Sequence, residues 1–475
     1  MSHDLSIVWL RRDLRLEDNS ALSQACKESK QVLVIFIFDT NILRELKSES
    51  DQRITFIYDS IIELNLQLKK LGSQLIVLNG DPVVEVPKIV KILKANSLYF
   101  NEDYEPYAKN RDKKIKETLE KNNINCVKLK DHVIFSGDEV CKSDGSPYKV
   151  FTPYKNAWLK KIQAADYSLK VFDKKKLIPN QNIFLNSTLP TFKQLGFEKS
   201  NILLNSFKPG RKSALASLKK WSNSLHEYHM NRDFPNLDEG TSALSVHLRF
   251  GTISIRECVQ LAMSQQTQGA IVWLSELIWR EFYQMILDQF PHVASGSFKK
   301  EYDKINWLGR ETHFKAWCEG RTGFPIVDAG IRQLNQTGWM HNRLRMITAS
   351  FLVKDLLVDW KKGEAYFAEK LLDFDLAANN GGWQWSASTG CDAQPYFRIF
   401  NPVLQSQKFD PECHFIKKWV PELKSLTAKE IHLLSLKAPD RIDVEFKIGK
   451  DYPKPIVLHS KQKALALRMY RDAVK

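Results

Sequence analysis

The sequence predicts an α/β domain with a Rossmann-like parallel sheet, followed by an all-α C-terminal domain. Short β-rich runs alternate with helical patterns up to about residue 130, and this alternation is typical of a parallel sheet. From residue 211 the apolar residues recur at helical spacing almost to the end. A chain of 475 residues is long enough for about two to four domains.

The predicted strands lie at 6–10, 32–38, 74–78, 98–100 and 126–129. A helix is predicted over 53–71, where five apolar side chains share one face. They are Ile54, Ile57, Ile61, Leu64 and Leu68. No G-x-G-x-x-G follows the first strand, so the usual dinucleotide site is not indicated there.

Between residues 131 and 210 the chain turns to Lys, Pro, Asn, Ser and Gly and loses its periodicity. We expect a long connector there, surface-exposed and partly irregular. The expected domains are therefore 1–130, 131–210 and 211–475. In the last of them, long amphipathic helices are predicted at 212–221, 271–288 and 343–360.

Lysine and arginine total 70 against 55 acidic residues, and the net charge of +15 favours a polyanionic partner such as nucleic acid. The seven cysteines are scattered and form no C-x-x-C pair, which argues against a disulfide framework or a zinc site. The N-terminus has no apolar signal core, and no run approaches the roughly 18 apolar residues of a membrane span. We therefore expect a soluble, cytoplasmic protein.

The segment 372–402 is the strongest candidate for the wall of a site. It combines carboxylates, amides, bare backbone and indole rings, namely Asp373, Asp375, Asn379, Asn380, Gly381, Gly382, Trp383 and Trp385. Such a set suits a flat ligand, on which the indoles could stack or to which they could carry electrons. The alternative is a loop between helices whose aromatics fill a core.

Two further segments carry polar groups at a predicted helix start or at helical spacing. The run TSALS (241–245) offers hydroxyls and backbone amides that suit phosphate oxygens, or it is an ordinary helix N-cap. The run VWLSELIWREFY places Trp273, Glu276, Trp279, Arg280 and Tyr283 along one broad helix face. That face could hold an aromatic base and its phosphate, or it could belong to an amphipathic core helix with an internal ion pair between the glutamate and the arginine.

The run GWMHNRLRM places Asn342, Arg343, Arg345 and Met346 at another predicted helix start. Arg345 could pair there with Asp373 or Asp375 of the segment 372–402. Three tryptophans far apart in sequence, Trp307, Trp360 and Trp383, are by spacing alone most simply core residues.

TSALS, WLSELIWREFY, TGFPIVDAGIRQLNQTGWMHNRLRM and DLAANNGGWQW occur in this order, and with them the chain resembles the DNA photolyase and cryptochrome family. It is most similar to the class I cyclobutane pyrimidine dimer photolyases of bacteria, from WLRRDLRLEDN through DYPKPIV. The resemblance implies an antenna-chromophore domain, a connector and a helical FAD-binding domain. It also implies a light-driven enzyme that repairs UV-damaged DNA, expected to be a monomer in the cytoplasm, associated with the nucleoid on damaged DNA.

The resemblance implies a set of FAD-binding residues, which are Tyr228, Thr241, Ser242, Ala243, Leu244, Ser245, Trp273, Arg280, Arg345, Asp373, Phe374, Asp375 and Asn379. Asn379 would face the flavin N5, where a neutral amide tunes the ring without adding a charge. Plant cryptochromes have Asp at this position and animal cryptochromes commonly have Cys, so asparagine favours repair over signalling.

The resemblance also implies a pocket for the dimer, flipped out of the duplex. The implied catalytic residues are Glu276, Asn342, Met346 and Asn379, and the implied DNA- and lesion-binding residues are Arg232, Glu276, Trp279, Arg280, Asn342, Arg343, Trp385 and Gln405. Excited FADH⁻ would give one electron to the dimer, whose cyclobutane bonds break before the electron returns. Trp383, Trp360 and Trp307, in that order outward, would relay electrons when the resting flavin is photoreduced.

Two comparisons within the family refine these expectations. Photolyases of the (6-4) type carry histidines at the positions of Asn342 and Met346, so the cyclobutane lesion is favoured. Folate-binding relatives carry Asn-Glu and Cys-Lys pairs where this chain has Tyr107-Ala108 and Ala294-Ser295. A deazaflavin-type antenna, with Asp39, Asp103 and Glu105 near it, is therefore favoured over methenyltetrahydrofolate, while FMN or an empty pocket stays open.

Two other functions stay open. One is a blue-light receptor of the cryptochrome kind, which usually carries an extended C-terminal tail, whereas this chain stops at Lys475. The other is a flavin electron-transfer protein or a helical binding module, which would leave Glu276, Asn342 and Met346 unexplained.

Overall fold

The structure is a computed structural model that describes residues 3–183, 188–201, 207–436 and 446–473. The chain forms two compact units. The sheet unit takes Met1–Tyr148, Pro153–Leu225 and Ser242–Gln289, and the helical unit takes Lys149–Thr152, His226–Thr241 and Phe290–Lys475. Each unit therefore combines segments that are far apart in sequence, and the division at residues 130 and 210 stays a prediction.

The sheet unit is built on parallel strands, which the described residues pair in the order β3-β2-β1-β4-β5. The strands are β1 His3–Leu10, β2 Ser29–Asp39, β3 Leu75–Gly80, β4 Ser97–Asn101 and β5 Asn125–Leu129. In the register, Val8 of β1 pairs with Val34 of β2 and with Tyr99 of β4. β1 is the central strand, and its last four residues, from Ile7 to Leu10, are apolar and at most 1% exposed, as expected for a strand buried on both faces. The predicted parallel sheet is confirmed.

The helices follow in chain order. They are α1 Ser20–Glu28, α2 Thr40–Leu43, α3 Gln52–Lys70, α4 Pro82–Ile92, α5 Pro106–Glu120, α6 Phe151–Lys161, α7 Phe192–Leu195, α8 Arg211–Ser224, α9 Tyr228–Asn231, α10 Ser245–Phe250, α11 Ile255–Ser264, α12 Gln268–Gln289, α13 Glu311–Cys318, α14 Pro325–Thr337, α15 Asn342–Ser350, α16 Trp360–Lys370, α17 Leu376–Ser386, α18 Pro402–Phe409, α19 His414–Trp419, α20 Ala428–Leu433 and α21 His459–Ala473. The helices predicted over 53–71, 212–221 and 271–288 correspond to α3, α8 and α12. No helix in the described part of the chain is long and apolar enough to cross a membrane.

A buried network of charges links distant segments of the sheet unit. Arg256 of α11 pairs with Asp18 at 2.8 Å and with Asp131 at 2.7 Å. Arg15 pairs with the other oxygen of Asp131 at 2.6 Å, and the four side chains are at most 4% exposed. Removing one partner would leave a buried charge uncompensated, so the network holds these segments in one arrangement.

The predicted connector is irregular over much of its length, but its first residues, 131–135, are buried, contrary to the expected exposure. The reason is a hydrogen-bond acceptor that the sequence does not reveal. The carboxylate of Glu281 in α12 accepts from the backbone N–H groups of Ile134 and Phe135 at 2.6 and 3.2 Å. It also accepts from Trp158 Nε1 at 2.6 Å, and burial raises the pKa of Glu281 to about 7.

The helical unit packs around one buried core, whose largest side chains include Trp317, Trp360, Tyr452 and Tyr470. The helix predicted over 343–360 is wrong as a single element. It is interrupted by a π-helical turn at Phe351–Asp355 and by Leu357, whose φ is +55°. The physical reason is Lys354, which is fully buried and donates to Ser388 Oγ at 2.9 Å. A buried amine needs such a hydrogen-bond partner, and the π-helical turn allows Lys354 to reach Ser388.

Candidate functional site

The candidate site of the helical unit is built around α17. Asp375 caps this helix and accepts from the backbone N–H of Ala378 at 3.1 Å. One turn further, Asn379 is 8% exposed and donates through Nδ2 to the backbone carbonyl of Glu364 at 3.1 Å. This bond fixes the amide with its nitrogen toward α16, so the amide oxygen points away from α16.

A ladder of amides continues along the same helix. Asn380 donates to Glu364 Oε1 at 3.0 Å and to the backbone oxygen of Val293 at 2.9 Å. Gln384 donates to Asn380 Oδ1 at 2.9 Å. Burial raises the pKa of Glu364 to about 7. No sequence pattern indicated Glu364, because it lies in another helix and its role depends on tertiary contact.

The two faces of α17 differ in the free space beside them. A Cβ on Gly382 would meet no atom within 4 Å, and this residue is exposed. A Cβ on Gly363 of α16 would overlap the ring of Trp383. One face of α17 is therefore packed, whereas the other offers open space beside bare backbone and the half-buried ring of Trp385. Together with the oriented amide of Asn379, this open face fits a flat ring system such as a flavin.

Arg345 and Asp373 form the ion pair that the sequence predicted as one of two possibilities. Arg345 Nη2 lies 2.7 Å from Asp373 Oδ2, and its Nε donates to the backbone oxygen of Met340 at 2.9 Å. Asp373 is 7% exposed, so the arginine largely compensates its charge. Phe374, the next residue, packs against the core.

The start of α15 brings Asn342 and Met346 together, with Asn342 Nδ2 3.9 Å from Met346 Sδ. His341 caps this helix through Nδ1, which accepts from the N–H of Arg343 at 3.1 Å. Burial lowers the pKa of His341 to about 4, so the ring is neutral at pH 7. The cap thus exposes Asn342 at the helix end without adding a charge beside it.

Arg343 is held from two sides. It pairs with Asp233 at 2.7 Å, and its guanidinium lies 4.3 Å from the centre of the Phe409 ring. Nearby in sequence, Arg232 lies over the ring of the buried Tyr228 at 5.3 Å. Gln405, on α18, is half-buried.

The three tryptophans of interest differ in burial. Trp383 and Trp360 are each 2% exposed, and Trp307 is half-buried. Trp383 packs edge-on against Phe367 and Trp317, with ring centres 4.9 and 6.1 Å apart. Trp307 packs edge-on against Tyr470 at 6.1 Å. Trp317, which contacts Trp383, is not among the predicted residues, because a tryptophan in an ordinary amphipathic helix has no distinctive sequence pattern.

The remaining predicted residues of the site lie on α12 and before α10. Trp279, half-buried, has its ring centre 5.4 Å from that of Tyr283, and Glu276 lies one turn earlier and is also half-buried. Arg280 donates to the backbone oxygen of His132 at 2.6 Å. Trp273 is buried and packs against Trp221.

The segment TSALS leads into α10, as predicted, but its serine supports a turn and does not cap the helix. Ser242 Oγ accepts from the N–H of Leu244 at 3.4 Å, and Ala243 adopts a left-handed φ of +51°. The residue that caps α10, Leu244, offers no side-chain acceptor. Thr241, Ser242 and Ala243 are half-buried and Ser245 is exposed.

The acidic residues predicted near an antenna are already paired. Asp39 accepts from the phenol of Tyr107 at 2.8 Å. Arg12 donates to Asp103 and Glu105 at 3.1 and 3.0 Å. These groups lie at or just after the carboxyl ends of β1, β2 and β4, which is where ligands bind in parallel sheets.

Comparison with known proteins assigns the class. Residues 6–173 match the family model described as DNA photolyase, and residues 273–472 match that of the FAD binding domain of DNA photolyase. The chain is 40% identical to the deoxyribodipyrimidine photo-lyase of Escherichia coli, over 99% of both chains. A bacterial class III photolyase from Agrobacterium tumefaciens has a TM-score of 0.90 and 32% identity, with 100% of this chain and 98% of that chain covered. An archaeal photolyase from Sulfolobus tokodaii, solved with two FAD molecules, has a TM-score of 0.82 and 36% identity, with 98% of this chain and 100% of that chain covered.

Fold and site together thus define a flavoprotein with an α/β unit and a helical FAD-binding domain. The chain belongs to the DNA photolyase family.

Proposed function

We propose that this protein uses blue light to repair cyclobutane pyrimidine dimers in UV-damaged DNA. The observation that carries the choice of lesion is the pair Asn342 and Met346, whose side chains lie 3.9 Å apart at the start of α15. A neutral amide beside a thioether can hydrogen-bond and contact a thymine edge, but it cannot donate the proton that a histidine pair would supply. The (6-4) lesion is disfavoured for this reason.

FAD fits the open face of α17 and the oriented amide of Asn379. The residues that would hold it are Tyr228, Thr241, Ser242, Ala243, Leu244, Ser245, Trp273, Arg280, Arg345, Asp373, Phe374, Asp375 and Asn379. When bound in its fully reduced form, FAD supplies the light-excited electron that opens the cyclobutane ring and then returns. The ion pair of Arg345 with Asp373 fixes the position of a carboxylate that would accept hydrogen bonds.

Asn379 acts through its orientation. Because its nitrogen donates to the backbone of Glu364, its oxygen would be free to accept a hydrogen bond from a protonated flavin N5. The amide carries no charge, so it accommodates the ring in more than one redox state.

Several side chains would act on DNA. Glu276 would accept a hydrogen bond from a thymine edge, and Trp279 and Trp385 would each contact a base by its flat face. Arg232, Arg280, Arg343 and Gln405 would contact the DNA backbone, so binding should weaken as salt rises.

Trp383, Trp360 and Trp307 would carry electrons inward when the resting protein is photoreduced. Burial supports the outermost place of Trp307, which is half-buried, whereas Trp383 and Trp360 are each 2% exposed. The relay serves activation, and it is not needed once the protein is reduced.

The antenna would be of the deazaflavin type and would lie beyond the carboxyl ends of the strands. Asp39, Asp103 and Glu105 supply acceptors there, each held by a donor of the same unit. Denaturing the purified protein and identifying the released chromophores by mass tests this assignment, and recovery of a folate would contradict it.

The deciding experiment for the proposed function measures loss of thymine dimers in a defined oligonucleotide by the reduced protein, under blue light and in the dark. The same test with a (6-4) photoproduct is the control for lesion type. Light-dependent loss of the cyclobutane dimer alone is the expected result. No loss of either lesion by reduced protein would contradict the proposal and favour a photoreceptor.

A further inference from the structure

The helical unit contains a cavity of about 250 Å³ that none of the roles above uses. One wall is the loop after α9, and the opposite wall is the loop between α18 and α19. The lining residues are Asn231, Phe234, Asn236, Leu237, Asp410, Pro411, Glu412 and His414. Pockets for drug-sized ligands measure about 300–1,000 Å³, so this cavity suits one small ring system. We call it the base pocket.

The lining chemistry favours a base over a phosphate. The polar lining residues of the base pocket are two amides, two carboxylates and His414, and neither lysine nor arginine is among its lining residues. The oxygens of Asp410 already accept from the backbone N–H groups of Phe415 and Ile416 at 3.1 and 2.9 Å. Glu412 is exposed and can accept from a ligand. Phosphates are bound by cations and N–H groups, whereas an exocyclic amine of a base is read by carboxylate and amide oxygens.

The aromatic wall of the base pocket connects it with an arginine assigned to the DNA backbone. The ring of Phe234 lies 6.3 Å from that of Phe409, on which the guanidinium of Arg343 rests at 4.3 Å. Arg343 also pairs with Asp233 in the loop that carries Phe234. A DNA strand held by Arg343 and by Arg232 of the same loop would bring its bases beside this wall.

We propose that the base pocket takes one unstacked adenine or cytosine of the damaged DNA. The proposal rests on the proposed function, which supplies the DNA. Flipping the dimer out leaves bases around it without their partners, and the partners of a thymine dimer are adenines. Phe234 offers a ring for the base face, and Asn236 and Glu412 offer oxygens for its exocyclic amine. The base comes either from the strand opposite the dimer or from the position next to it.

The test measures dissociation constants in the dark for three synthetic duplexes that each contain one thymine dimer. The first is complete, the second has abasic sites opposite the dimer, and the third has abasic sites on both sides of it. The proteins compared are the wild type, Phe234→Leu, which keeps apolar bulk, and Asn236→Ala, whose exposed position does not threaten folding. Asn223→Ala, at an exposed asparagine of α8, is the matched control.

Both base-pocket variants should bind the complete duplex about five- to tenfold more weakly. For Phe234→Leu this corresponds to the loss of one base–aromatic contact, and for Asn236→Ala it corresponds to the loss of one hydrogen bond. The difference should vanish on the duplex that lacks the captured base, and this duplex identifies the source of the base. Asn223→Ala should bind all three duplexes as the wild type does.

Wild-type affinity of both variants for the complete duplex would overturn the proposal. A loss that persists equally on both abasic duplexes would overturn it too, because no base would then be responsible. A second measurement, light-driven repair of a free thymine dinucleotide dimer by the wild type, distinguishes failure of the proposed function from failure of the base-pocket proposal. Its absence contradicts the proposed function, whereas its presence without a base-pocket effect contradicts only the base pocket.

Discussion

The amide nitrogen of Asn379 donates to the backbone oxygen of Glu364 at 3.1 Å. The anchor is main chain of α16, so the orientation of Asn379 does not depend on the ionisation of the Glu364 carboxyl. The same residue of α16 also accepts from Asn380 through its side chain. Two neighbouring amides of α17 are thus held by one residue through different atoms.

Asn379→Asp should destabilise the reduced flavin. A carboxylate cannot donate to the Glu364 backbone oxygen, and it places a negative charge next to a ring that gains electrons. At a separation of about 4 Å and the effective dielectric of a protein, the cost is on the order of 1–4 kcal/mol. An anaerobic redox titration should show a lower midpoint potential, with the exposed Asn223→Asp as the control. An unchanged titration would remove Asn379 from the neighbourhood of N5.

Glu276→Ala should lower the repair yield by about tenfold while FAD content stays at the wild-type level. The loss corresponds to one charged hydrogen bond, worth roughly 1.5–3 kcal/mol. Yield is measured per photon absorbed, and FAD content by absorbance. Glu311→Ala, at an exposed glutamate that starts α13, serves as the control. A parallel fall of yield and FAD content would mean that Glu276 supports cofactor binding instead.

Trp307→Phe should slow photoreduction of the oxidised flavin by an order of magnitude or more, because phenylalanine is much harder to oxidise than tryptophan. Repair by chemically reduced protein should stay near the wild-type level. Trp419→Phe, at another half-buried tryptophan of the helical unit, is the matched control. Equal loss of both activities in Trp307→Phe would argue against a relay through this ring.

Gly363→Ala and Gly382→Ala should act in opposite ways. The new methyl at 363 overlaps the ring of Trp383, and overpacking of this kind costs about 1–3 kcal/mol. The methyl at 382 meets nothing, and alanine favours a helix over glycine by up to about 1 kcal/mol. Thermal unfolding of the FAD-free protein should therefore show a lower Tm for Gly363→Ala only. FAD titration of Gly382→Ala should show weaker binding if the ring lies on this face, and wild-type binding would place the ring elsewhere.

His341 should make stability depend on pH. Burial lowers its pKa to about 4 from an ordinary value of 6.5. Between these pH values His341 is protonated in the unfolded chain but neutral in the folded chain. The free energy of unfolding therefore decreases as the pH falls from 6.5 to 4, by about 3 kcal/mol in total. His341→Asn keeps an N-cap for α15 and should flatten this part of the Tm profile relative to the wild type. An identical slope in both proteins would contradict the assignment.

Structural elements that depend on a local sequence pattern could be predicted from the sequence. The five strands are short apolar runs with their own signal, and α3 shows its buried face as a regular spacing of residues such as Ile54 and Leu68. The pairing of Arg345 with Asp373 was within reach because charges of opposite sign in a buried segment need each other. The family resemblance supplied the rest of the candidate residues.

Structural features that depend on tertiary contacts could not be predicted from the sequence. Lys354 sits in a run of apolar periodicity that reads as an unbroken helix, yet its burial bends the chain into a π-turn. Glu281 and Glu364 look like ordinary surface glutamates of helices, and only the structure shows the donors around them. Buried carboxylates of this kind have no sequence signature, because their partners come from other elements.

The charge network of Arg15, Asp18, Asp131 and Arg256 has a consequence during synthesis on the ribosome. The strands of the sheet are complete once residue 129 has emerged, and Asp131 follows two residues later. Of the two aspartates, only Asp131 then has Arg15 as a cationic partner, because the carboxylate of Asp18 pairs with Arg256. Arg256 emerges more than a hundred residues later. Burial of both carboxylates before that moment would be costly, so the nascent sheet should stay open at this corner until α11 arrives. Complete packing of the N-terminal third of the chain therefore requires that α11, near the middle of the chain, has been synthesised.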